Sequence, residues 1–189
     1  MVKRVLFVLL LLAPAVASAQ QRPAFAATGN SVTIALPASV LQHATVRKQL
    51  ASGLTTTFIL IARSRDRATE GGARLEVRYD LWDEVYHVRR FEADRKIEQQ
   101  RIASLEQLEQ WWRTPSRIIA FRGERLVLDV ELRVLPFSGA EEADARRWLS
   151  KSPGVAPDGA TSLVDVLLGT TISAKPIVSF RWSAEVARR

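Results

Sequence analysis

Apolar and polar residues change places at almost every step from Arg117 to Pro136, RIIAFRGERLVLDVELRVLP. Side chains alternate across a strand, so Ile119, Phe121, Leu126, Leu128, Val130, Leu132 and Val134 fall on one face. Arg122, Arg125, Asp129, Glu131 and Arg133 fall on the other. Gly123-Glu124 supplies a two-residue turn with glycine where a type II′ turn needs a positive φ. The pattern predicts a β-hairpin in which Phe121 faces Leu126 and Arg122 faces Arg125.

The rest of the chain divides by the same two periods. Gln20 to Asn30 shows no periodicity and reads as a flexible lead-in, and Ser31 to Leu36 reads as a strand. A helix follows from Pro37 to about Ser52, with Val40, Leu41 and Ala44 inward and Gly53 just past its end. Leu54 to Ala62, LTTTFILIA, predicts a central strand covered on both faces. Arg63 to Gly72 reads as a charged loop, Arg74 to Leu81 and Val85 to Phe91 as strands, and Trp82-Asp83-Glu84 as the turn joining them.

Asp94 to Ala103 extends that strand or opens the next helix. Ser104-Leu105-Glu106-Gln107 is a capping box before a helix carrying Leu105, Leu108, Trp111 and Trp112, which Pro115 ends. Ser138 to Leu149 predicts a third helix anchored by Trp148 and Leu149, 150–160 a Pro/Gly loop, and Ser162 to Leu168 a short helical turn. Ile177 to Trp182 closes the chain as a strand. The sum is an α+β domain over 31–189. It has an antiparallel sheet of about six or seven strands, a meander plus the hairpin, with two or three helices on one face.

The first residues change the setting. Lys3 and Arg4 precede an apolar run from Val5 to Val16 and a small-residue Ala17-Ser18-Ala19 site. That run is too short for a bilayer, which takes ~20 residues, and predicts a signal peptide over 1–19 cleaved near Ala19. The expected product is a periplasmic or secreted bacterial protein with no transmembrane segment. With no cysteine there is no disulfide, thiolate nucleophile or thiolate zinc site.

The full chain carries a net charge of +7, and cleavage would leave 25 Lys+Arg against 20 Asp+Glu, or +5. Such a surface favours an envelope protein or an anionic lipid or glycan surface as partner. Nucleic acid is not expected of an exported chain without a basic, aromatic-studded run.

Candidate chemistry is sparse. Asp80, Asp83, Glu84 and His87 form the one polar cluster able to hold a cation or exchange protons, and a turn collects such residues without any chemical role. No nucleophile elbow or glycine-rich phosphate loop is present, so no catalytic, metal or cofactor residue is assigned and a non-enzyme is expected. Among the five tryptophans, Trp82 alone falls in a charged turn, as a contact residue or folded over the sheet edge. With Arg122, Arg125 and Arg133 it makes the candidate binding set.

Leu50-Ala51-Ser52-Gly53-Leu54, Phe58, Tyr79-Asp80, Tyr86-His87-Val88, Ser104-Leu105 and Leu135-Pro136 stand in an order that resembles a family of exported bacterial proteins catalogued as a domain of unknown function. The resemblance covers Val32 to Leu149; it implies export and the β-α-β meander, and brings no catalytic residue. Three functions follow as expectations. The first is a non-enzymatic envelope module that binds a partner or anionic surface through its basic sheet face or an open edge. The alternative is a carrier of a lipid or other apolar molecule around Phe58, Trp111, Trp112, Phe121 and Phe180, and the third a hydrolase using Asp80 to His87.

Overall fold

The computed structural model describes residues 22–66, 68–92, 97–136 and 175–188. The expected signal peptide, third helix with Trp148, Pro/Gly loop and helical turn at Ser162 to Leu168 fall outside the described residues. The class is α+β, with two antiparallel sheets and three short helices among the described residues.

The described part of the expected lead-in, Gln20 to Asn30, is a strand and a turn. β1 (Ala24–Thr28) and β2 (Ser31–Ala35) form a hairpin whose two-residue loop, Gly29-Asn30, places Gly29 at φ +57°. A Gly-Asn pair between two extended runs is itself a hairpin signal, masked here by alanines in β1 that give little contrast between faces. The expected single helix is two, α1 (Ser39–Gln42) and α2 (Ala44–Leu50), parted by His43 in extended conformation (ψ 130°). Gly53 takes φ +75° just beyond α2.

β3 (Thr56–Ser64) is the buried central strand, lying two residues later than its apolar run suggests. β4 (Glu70–Asp80), β5 (Val85–Phe91) and β6 (Ile97–Ile102) meander away on one side of it. The glycines expected in a loop, Gly71 and Gly72, lie inside β4. α3 (Leu105–Arg113) opens on its predicted cap, with Gln107 N–H donating to the Ser104 hydroxyl at 3.2 Å, while Gln107 Oε1 accepts from Ala103 N–H, one residue before the donor a capping box uses. Leu105, expected inward, is exposed.

The predicted hairpin is not formed. β7 (Ser116–Ala120) pairs with β2, and β8 (Arg125–Leu135) pairs with β3 on one side and β9 (Val178–Ala187) on the other. Gly123 has the required positive φ, +131°, yet its turn carries the chain from one sheet to the other. The orders are β6-β5-β4-β3-β8-β9 and β1-β2-β7.

Faces were legible where pairing was not. Phe58, Leu60, Leu75, Val77, Leu128, Val130, Leu132 and Val134 share the inner face of the large sheet. They join Val32, Ile34, Leu41, Leu108, Trp112 and Phe121, from the helices, the small sheet and the turn after β7, in one core. Phe58 and Trp112 meet edge to face at 4.7 Å, and Trp112 Nε1 donates to Pro37 O at 3.0 Å.

The small sheet crosses the large one closely. A Cβ on Gly71 would lie 2.3 Å from Ile118 O of β7, so glycine lets the two backbones touch.

Candidate binding surface

The outer face of the large sheet holds the charged residues in register. Ile59 of β3 is fully buried there, flanked by Arg74 on β4 and Arg133 on β8. Two carboxylates each sit between two arginines. Glu76 lies 3.4 Å from Arg74 and 3.4 Å from Arg89. Glu131 Oε2 accepts from Arg133 Nε and Nη2 at 3.1 and 2.8 Å, and its Oε1 from Arg181 Nε and Nη2 at 3.2 and 3.0 Å. Arg63 pairs with Glu70 at 2.9 Å. The arginines of this face are thus held in ion pairs, five of them here with three glutamates, and the face stays net basic.

Arg133 is one of the five. Arg125 does not oppose Arg122: it stands opposite Ala187 of β9, with Glu185 at 3.6 Å, while Arg122 is exposed in the turn. At the other end of the sheet Trp82 is 95% exposed, beside exposed Leu81. Its turn is held by Asp80, whose Oδ1 accepts from the N–H groups of Trp82 and Asp83 at 3.0 and 3.2 Å. Those two bonds hold the Asp80 carboxyl below the usual carboxylate range.

The polar cluster is spread along that turn. His87 Nε2 stands 3.8 Å from Asp80 Oδ2, Asp83 pairs with Arg101 at 2.8 Å, and Glu84 is exposed at φ +54°. Among the described residues no three His, Asp or Glu side chains gather as a metal site would require.

Sequence reasoning passed over two features. Arg90, 1% exposed, points into the core, where its Nη2 donates to Trp111 O at 2.7 Å and its guanidinium lies 4.7 Å from the Trp111 ring centre. Burial pulls its pKa below the usual arginine value, against the carboxylates of Glu98 and Glu92. No period reveals an arginine on an apolar face.

The second feature is the outer edge of β9, which runs on past Trp182 to Ala187 and which no described strand pairs. Continuing the alternation through Ser183-Ala184-Glu185-Val186 would have found it. Among the described residues β9 has a strand neighbour on one side only. Arg188 N–H donates to Glu124 O, directly opposite in register, at 3.0 Å. Bonding direction alternates along an antiparallel ladder, so Ser179, Arg181, Ser183, Glu185 and Ala187 turn their N–H and C=O groups outward. On the inner face of this edge Phe180 and Trp182 are half-buried and stacked at 6.0 Å, and His43 meets Phe180 edge-on at 5.6 Å.

Comparison with known proteins gave no matching family, no matching curated protein and no matching solved structure. No helix among the described residues is long and apolar enough to cross a membrane.

Proposed function

We propose that this chain is an exported envelope protein acting as a non-enzymatic binding module, which takes an extended strand of a polypeptide partner along the outer edge of β9. The leader pattern of Lys3 to Ala19 supports export. The observation that carries the binding reading is the β9 edge, five residues with outward main-chain groups beside a half-buried aromatic pair. An unpaired edge is a template for strand addition, in which main-chain bonds give affinity and side-chain pockets give selectivity.

The test is a photo-crosslinking residue at Arg181, with one at Gln99 on the opposite edge as control, in protein kept in its own envelope. Crosslinking from position 181 alone is expected, abolished by Ser183→Pro, which removes an outward N–H and leaves the β8 ladder intact. Crosslinks that persist in the proline variant, or binding to anionic vesicles that it does not disturb, would overturn the edge reading.

A further inference from the structure

We infer that the strand received by β9 is the β9 of a second copy, the two edges joining antiparallel about a twofold axis at Ser183. This rests on the edge reading above and names its partner.

The sequence of β9 is complementary to itself in that register and in few others. Residues of equal parity must stand opposite for the inner faces of two copies to be continuous. An axis at Ser183 sets Arg181 against the second copy's Glu185, and Glu185 against its Arg181, so opposite charges meet twice on the outer face. On the inner face Phe180 meets Val186 and Trp182 meets Ala184, an aromatic against a β-branched residue and a large side chain against a small one. An axis at Arg181 would instead oppose two arginines.

Main-chain geometry agrees with the side chains. Ser179, Arg181, Ser183, Glu185 and Ala187 are the residues whose N–H and C=O groups point outward, and an axis at Ser183 pairs each of them with another of the same five.

The charged partners are accessible. The Arg181 side chain is 80% exposed and that of Glu185 57% exposed, although each already touches an opposite charge on β8. Beyond them the free edge of β1 approaches β9 without pairing. Phe25–Ala27 face Glu185–Ala187 across an open groove too narrow for a further strand at sheet spacing, so the Ser179 end of the incoming strand takes the place of β1 there and β1 moves aside. The product is one continuous antiparallel sheet with no β9 edge left to solvent, joined by a self-complementary interface of the kind a twofold dimer requires.

The charges allow a test that separates this pairing from any other dimer. Arg181→Glu gives each copy Glu at both positions, and Glu185→Arg gives each copy Arg at both. Either variant alone then opposes like charges twice, whereas a mixture of the two restores both attractions in a heterodimer. Light scattering after size exclusion of the full processed chain should show a dimer for the natural sequence. Each variant should dissociate with a constant raised about tenfold, and the equimolar mixture should be dimeric again. Thermal unfolding of each variant confirms that it is folded, and Ser183→Pro gives a second route to the monomer.

A wild-type dimer that both charge variants and the proline leave intact would overturn the inference. So would a mixture that stays monomeric. Hydrogen exchange at the amides of Ser179, Arg181, Ser183 and Glu185 distinguishes the remaining outcomes. Fast exchange in a protein monomeric at every concentration overturns the self-pairing alone and leaves strand addition by another partner standing. Slow exchange in such a monomer means the edge is covered from within, and overturns both.

Discussion

Glu131 shows what the charged face does at the scale of one residue. Partial burial raises its pKa, but hydrogen bonds from Arg133 and Arg181 outweigh that and leave it below the usual glutamate value. A carboxyl whose folded pKa is depressed stabilises the fold above its unfolded pKa and loses that contribution as pH falls through the folded value. Arg181 is largely exposed, so screening keeps the effect to roughly 0.5–1 kcal/mol. Glu131→Gln should therefore be less stable than the natural chain by that amount near neutral pH, and the two should converge in acid. Urea unfolding across a pH series reads the difference. A gap that persists below the carboxyl range would assign it to packing instead.

Residues of this kind were half legible. Strict alternation placed Glu131 and Arg133 on the outer face correctly, but alternation carries no information about the neighbouring strand. The carboxylates that pair the arginines of this face come from neighbouring strands, across the β4–β5 turn for Arg89 and Glu76 and from 50 residues away for Arg181 and Glu131.

At the scale of elements, legibility followed how local the signal was. α3 could be read almost entirely, since its cap, apolar stripe and terminating proline lie within a few residues of one another. β5 matched its predicted bounds for the same reason. The first helix split at His43 because seating Val40 and Leu41 in one place and Val46 and Leu50 in another is a demand of the core.

Arg90 is the element-scale case where sequence is silent, because it ties β5 to α3. Trp111 O also accepts from Thr114 N–H, so removing Arg90 does not orphan that carbonyl. Shape should then matter more than charge. Arg90→Met is expected to cost under about 1.5 kcal/mol, since replacing a buried ion by an apolar side chain of similar volume is often close to neutral. Arg90→Ala should cost about 2–4 kcal/mol through the cavity it leaves. Equal losses in the two variants, measured by denaturant unfolding, would show that the bond to Trp111 O dominates.

The whole molecule is set by a choice no local pattern makes. The stretch Arg117 to Pro136 has the turn and the alternation of a hairpin, but β7 buries both Ile118 and Ile119. It does so by leaving β8, pairing with β2 and crossing the inner face of β4 at Gly71. The glycine is what admits this crossing, and it read as a loop signal because sequence alone cannot tell a turn from a close approach of two backbones. A methyl group at Gly71 would meet main chain, Ile118 O and Ile119 Cα, which cannot rotate aside as a side chain could. Gly71→Ala is thus expected to destabilise the fold by at least about 1–3 kcal/mol, as overpacking does, by prising the small sheet off the large one. Faster hydrogen exchange should appear first in β7 and in β2, its partner, while β5 and β6 keep their protection. A loss below about 0.5 kcal/mol, the scale of an ordinary surface substitution, would mean that β7 does not rest on β4.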